Sequence, residues 1–142
     1  MTIVIREARE SDAPRLVELI IALGHPIEEA DVRRNLEILG KNEILPLVAT
    51  DAERVIGMCG LSAMVTVHRP APVGRVSVMI VDESYRGRGI GALLMAEAEK
   101  RLSAHGCHIL EVTSNVSRER AHQFYEKLGY ERTSYRFMKT LA

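Results

Sequence analysis

Nine residues, Val73 to Val81 (VGRVSVMIV), constrain the fold of this chain more than any other stretch. Read with a period of two, Val76, Val78 and Ile80 fall on one face and Met79 and Val81 on the other. A strand with apolar side chains on both faces belongs in the middle of a sheet covered on both sides. The run breaks into a polar loop, Asp82 to Arg88. A helix then follows from Gly89 to about Ala104, with Ile90, Leu93, Leu94, Glu97 or Ala98, and Leu102 as its stripe and Gly106 closing it.

The remaining elements assemble around that strand. Thr2 to Glu7 alternates as a half-buried strand. Ser11 or Asp12 caps a helix with Pro14 in its first turn and Leu16, Leu19, Ile20 and Leu23 at helical spacing, ended by Gly24. Glu28 to Leu39 is a second amphipathic helix, stopped by Gly40. Leu45 to Thr50 and Val55 to Val67 read as strands, and Pro70 and Pro72 mark a loop. After the glycine-opened helix come a strand (Cys107 to Thr113), a short helix (Ser117 to Leu128) and one or two strands within Tyr130 to Lys139. This order predicts a mixed α/β fold with helices covering a sheet, and 142 residues suit a single domain, 1–142.

Composition removes several function classes. Lys plus Arg and Asp plus Glu each number 19, so the basic excess of a nucleic-acid-binding domain is missing and no nucleic-acid partner is expected. No apolar run is long enough to span a bilayer, which predicts no membrane partner. The first residues, MTIVIREARE, carry no apolar signal region, and Cys59 and Cys107 make no disulfide framework; both point to a cytoplasmic protein. Each cysteine reads as a small buried thiol among apolar neighbours, with no His or Cys at ligand spacing, so no metal is expected.

The loop RGRGIG, Arg86 to Gly91, is the first candidate site. Free amides at a helix N-terminus and the helix dipole attract anions, and glycines let the backbone approach closely. A phosphate loop of nucleotide triphosphatases needs a Lys-Ser or Lys-Thr that is missing here. Gly87, Gly89 and Ala92 approach the dinucleotide fingerprint, but His108 to Leu110 stand where its ribose-binding acid belongs. By spacing alone, an anion cradle and a solvated glycine turn stand level.

A second stretch changes that balance. RAHQFYEKLGY, Arg120 to Tyr130, places Phe124 and Tyr125 on a short helix ending at Gly129. Together the two stretches resemble the GNAT superfamily of N-acetyltransferases. Its signature R/Q-x-x-G-x-G/A is matched by Arg86, Gly89 and Gly91. Its second signature, an Asn after a strand and then A-x-x-F-Y-x-x-x-G-F/Y, is matched by Asn115, Ala121, Phe124, Tyr125, Gly129 and Tyr130. The resemblance covers the whole chain. It implies a mixed, mostly antiparallel sheet of six to seven strands, splayed between the strands Val73 to Val81 and Cys107 to Thr113 and covered by four helices.

The resemblance further implies acetyl-CoA as co-substrate and a small primary amine as acceptor, attacking the thioester directly. Backbone amides of Arg86, Gly87, Arg88, Gly89, Ile90 and Gly91 would hold the pyrophosphate. Met79, Ile80 and Val81 would pair with the pantetheine arm, an amide near Met79 would face the acetyl carbonyl, and Asn115 would bond the arm from the other strand. Tyr125 would be the general acid. Many relatives carry a Glu where this chain has Ser77, so a water chain or another residue must take the amine proton. His25, His68 and Glu83 are candidates by loop position only; His122 lies beside the inner helix face, and His105 and His108 have no clear role. The acceptor pocket is expected from Gly24 to Ile27 and Val67 to Val73. No acidic run points to a polycationic acceptor and no basic run to a phosphonate. Two other readings stand beside this one: an acyl-CoA-binding sensor or regulatory subunit without turnover, and a protein or peptide amine acetyltransferase. The apolar stretches Val55 to Val67 and the C-terminal strand suit a homodimer.

Overall fold

Alternation and helical spacing become structure almost where the sequence places them. The computed structural model describes residues 1–142. The strands are β1 Ile3–Glu7, β2 Leu47–Asp51, β3 Arg54–Met64, β4 Val73–Val81 and β5 Ile109–Val112, and the helices are α1 Ala13–Leu23, α2 Glu29–Lys41, α3 Ile90–Ala104 and α4 Glu119–Lys127. The strands form one mixed sheet in the order β1-β2-β3-β4-β5. β1 to β4 pair antiparallel, and β5 runs parallel to β4.

The chain divides into two compact units, Met1–Glu111 and Val112–Ala142. In the first, one sheet face carries the apolar cluster of α1 and α2: Leu16, Leu19, Val32 and Leu36 pack with Val48, Val55, Met58 and Ile80. α3 covers the opposite face. Its Leu94 and Leu102 lie close enough that a Cβ at Gly57 or Gly74 would meet them at 3.4 and 3.1 Å. Ile90, Leu94, Met95, Ala98 and Leu102 are buried, while Leu93, expected in the stripe, is exposed and Glu97 is half-buried.

β4 departs from simple alternation. Gly60 faces Val78 while Leu61 faces Val76, which leaves Ser77 as an extra residue in a β-bulge. A bulge shifts the side-chain phase by one. Val76 therefore shares a face with Leu61 and α3, and Val78 shares the opposite face with Ile80 and the α1–α2 cluster. The expectation that Val76 and Val78 lie on one face is thereby corrected.

In the second unit, α4 buries no residue fully. Tyr130 to Lys139, expected as one or two strands, contains no strand, and the sheet has five strands rather than six or seven. Tyr135 and Phe137 are 84% and 94% exposed. Alternation sets which side chains share a face, but a strand exists only when a neighbouring backbone takes its N–H and C=O groups, and this segment has no such ladder. No helix is long and apolar enough to cross a membrane.

Candidate functional site

The glycine loop hangs from the end of β4 by side-chain ties to two other elements, α1 and β2. Asp82 Oδ1 accepts from the Ser84 amide (3.0 Å) and hydroxyl (2.6 Å), closing an Asx turn over the short 3-10 turn Glu83–Tyr85. Its other oxygen pairs with Arg15 of α1, whose Nε also donates to the Val55 carbonyl at 2.8 Å. The Ser84 hydroxyl and amide and then Arg15 hold the Asp82 carboxyl at about 2, well below the usual range. Tyr85 donates to Asp51 Oδ2 (2.6 Å) at the end of β2. That bond raises the Tyr85 hydroxyl and lowers the Asp51 carboxyl.

The backbone, not the arginines, shapes the loop itself. Gly87 and Gly89 both sit at φ 78°, in the left-handed region. Gly89 is the N-cap of α3, and no side chain caps the helix. The first-turn amides of α3 have no intrahelical partner by geometry, and the positive end of the dipole lies among them. Arg86 Nε donates back to the Val81 carbonyl (3.2 Å), and the Arg88 guanidinium lies 5.2 Å from the Tyr85 ring centroid. Arg86 to Gly89 are exposed and Ile90 is buried, so the loop opens outward from a fixed base. This arrangement fits a diphosphate held by backbone amides.

On β4 beside it, Ile80 is buried and Met79 and Val81 are half-buried. Ser77 is exposed. A Cβ at Gly60 would meet Ser77 Oγ at 2.6 Å and Val78 Cγ1 at 2.9 Å, so both side chains lean over the bare Gly60 backbone. Ser77 thus points to the same face as Val78, beyond the edge of the helical cover, and no carboxylate stands in its place.

The second unit gathers the other signature residues. Asn115 Oδ1 accepts from the Ser117 amide (2.9 Å) and hydroxyl (2.7 Å), a second Asx turn that leads into α4. The turn occupies the amide oxygen, and a donor role would fall to the Asn115 NH2 group. His122 Nε2 donates to the Asn115 carbonyl at 2.8 Å, which assigns His122 to this turn. Tyr125 packs edge-on against Phe124 and Tyr130, with centroids 5.1 and 6.0 Å apart.

The other histidines and Glu83 were candidates by sequence position alone. His25, His68, His108 and Glu83 are exposed. His105 caps α3 and donates to the Glu43 carbonyl (3.0 Å), a structural tie. Cys59 is buried, and burial pushes its thiol up to about 12; Cys107, expected to be buried, is only partly so. No group of His, Cys, Asp and Glu is gathered to hold a metal. The bulge at Ser77, the Arg15–Asp82 tie and the Tyr85–Asp51 bond have no counterpart among the sequence expectations. Only the D-x-S and N-x-S spacings, Asp82 to Ser84 and Asn115 to Ser117, signal the two turns.

Comparison with known proteins supplies a family. Residues 4–130 match the acetyltransferase (GNAT) family model. The aminoalkylphosphonate N-acetyltransferase of Salmonella typhimurium is 33% identical over 87 residues, 61% of this chain and 56% of that protein; the match thus spans little more than half of the relative. The glucosamine 6-phosphate N-acetyltransferase of Trypanosoma brucei brucei is 28% identical, with 73% of this chain and 85% of that one covered. Among solved structures, a Trypanosoma brucei acetyltransferase superposes with a TM-score of 0.84 at 25% identity, covering 99% of this chain and all of that one. A transcriptional regulator from Bacillus halodurans shares the fold, with a TM-score of 0.89 at 23% identity over 99% of this chain and all of its own. With a family model matched over most of its length and the same mixed sheet beneath it, the chain belongs to the acetyltransferase (GNAT) family.

Proposed function

We propose that this chain transfers the acetyl group of acetyl-CoA to the primary amine of a small molecule. The observation that carries the reading is the mouth of α3: a left-handed Gly89 cap with no side-chain cap and outward-facing amides, on the residues that match the family's first signature. The amides of Arg86 to Gly91 hold the pyrophosphate. Met79, Ile80 and Val81 take the pantetheine arm along β4, and the Asn115 NH2 group donates to it. An amide near Met79 polarises the acetyl carbonyl as the neutral amine attacks.

Two protons must move. An alkylamine titrates near ~10, so it must lose a proton before it can attack. The departing thiolate must gain one. Tyr125 is the donor: a phenol with an ordinary value of ~10 stays protonated at neutral pH and outlasts a thiol at ~8.5. With Ser77 in place of a carboxylate, an ordered water on the open face carries the amine proton away. The two relatives above are named for acceptors with both an amine and a phosphorus oxyanion. We place the acceptor of this chain in that class.

Thiol release from acetyl-CoA with a panel of small primary amines tests the reading. Native protein is expected to turn over, and Tyr125→Phe to lower kcat by about 10²- to 10⁴-fold with unchanged affinity for acetyl-CoA. Tight CoA binding without thiol release from any amine would instead make the chain a CoA-binding sensor.

A further inference from the structure

A carboxylate stands at the base of the loop proposed to hold a diphosphate. Asp51 is the last residue of β2 and is pinned in the ladder on both sides, opposite Ile3 of β1 and Arg54 of β3. The two residues between Asp51 and Arg54, Ala52 and Glu53, both lie in the left-handed region, at φ 47° and 70°. That is the pattern of a two-residue hairpin turn, which favours Asn-Gly. Residues with a Cβ are strained there, and such strain persists where the surrounding structure fixes the backbone. Asp51 is therefore a rigid point.

The loop that follows Tyr85 is not rigid by itself. Gly87 and Gly89 both sit at φ 78°, and an untethered glycine takes either sign of φ about equally well. A tie from outside the loop must hold that shape before a ligand arrives. Asp51 Oδ2 accepts from the Tyr85 hydroxyl at 2.6 Å, and Tyr85 directly precedes Arg86. The other oxygen, Oδ1, accepts from the Thr2 amide at 3.0 Å. The Tyr85 ring in turn lies 5.2 Å from the Arg88 guanidinium. One carboxylate thus governs both the entry to the loop and an arginine within it.

Charge alone gives this acid no reason to be here. A carboxylate near bound phosphates repels them, and Asp51 also draws on the positive charge of Arg88. As a charge, Asp51 weakens diphosphate binding. As a tether, it strengthens binding, because the ligand need not order the loop. Resting on the acetyl-CoA reading above, we infer that Asp51 is a positioning residue for the co-substrate: acting through Tyr85, it holds the diphosphate loop in its binding shape before acetyl-CoA arrives. The tether outweighs the repulsion. A short hydrogen bond to an ionised group is strong and local, whereas repulsion across an exposed loop is screened by water and salt.

The test is CoA titration calorimetry on the full chain, with acetyl-CoA kinetics alongside. Asp51→Ala should weaken CoA binding and raise KM for acetyl-CoA by about 10-fold, with kcat and KM for the amine unchanged. Tyr85→Phe keeps the ring, loses the hydroxyl and should cost about the same. The double variant should cost no more than either single change, since both remove one bond. Asp51→Asn keeps an oxygen for the Thr2 amide and an NH2 for the Tyr85 oxygen, and should recover part of the loss. Hydrogen exchange of the Arg86 to Gly89 amides should be faster in free Tyr85→Phe than in free native protein and equal in the two CoA complexes, with core amides unchanged. If Asp51→Ala fails to fold, Tyr85→Phe carries the test. Unchanged or tighter CoA binding in the single variants, or losses that add in the double variant, would overturn the inference. CoA binding without thiol release from any amine would instead strike the proposed acetyltransfer, and the titrations would still decide Asp51.

Discussion

Asp82 and Asn115 make the same turn, each shortly after a strand, and they differ in what the second atom of the side-chain head group is left to do. Each side-chain oxygen accepts from the amide and hydroxyl of a serine two residues on, at 3.0 and 2.6 Å for Ser84 and at 2.9 and 2.7 Å for Ser117. Asp82 spends its second oxygen on Arg15, which ties the glycine loop to α1. Asn115 has an NH2 group in that place. An aspartate at 115 would close the turn equally well, so the turn does not explain the asparagine. A donor kept for the pantetheine arm, as proposed above, would.

The largest effect should come from the loop that the Asp82 turn launches. Gly89→Val puts a β-branched side chain at φ 78°, where each non-glycine residue costs roughly 1–2 kcal/mol, and it crowds the mouth of α3. Losing two charge-assisted backbone contacts should weaken CoA binding by about 100-fold. Arg88→Ala should change it only a few-fold, roughly, because that guanidinium is spent on the Tyr85 ring. Titration of CoA against both variants ranks them. A larger loss for Arg88→Ala would mean that charge, not backbone, holds the phosphates.

That ranking rests on features the sequence exposes unevenly. The loop, the helix after it and the apolar β4 are legible because glycine placement and hydrophobic period are local properties of the chain. The bulge is not, because it is a property of two strands together: Ser77 becomes extra only where Gly60 lets it overhang. Asp51 is hidden for the same reason, since its partner Tyr85 lies on another element. The stretch Tyr130 to Lys139 errs in the opposite direction. Its alternation is strand-like, yet no neighbouring strand pairs with it.

Exchanging the two turn residues sharpens the contrast. Asn115→Asp keeps an acceptor for Ser117 and removes the NH2 donor. CoA affinity should fall by about 10-fold, while the thermal midpoint stays within a degree or two of native. A falling midpoint with unchanged affinity would assign Asn115 to the turn alone.

Asp82→Asn is the mirror experiment and the smallest effect. The amide oxygen still accepts from Ser84, and only the charge against Arg15 is lost, at about 1–2 kcal/mol near neutral pH. The sign comes from the carboxyl's low value of about 2 in the fold, against an ordinary ~3.9. A depressed carboxyl stabilises the fold fully above about pH 4, and that stabilisation fades as pH falls towards 2. Urea unfolding of native and variant protein between pH 7 and 2 should therefore show a constant gap down to about pH 4 that closes below it. A gap that persists unchanged to pH 2 would mean that the Arg15–Asp82 charge pair contributes nothing to the anchor. The two turns would then differ only in what Asn115 offers a ligand.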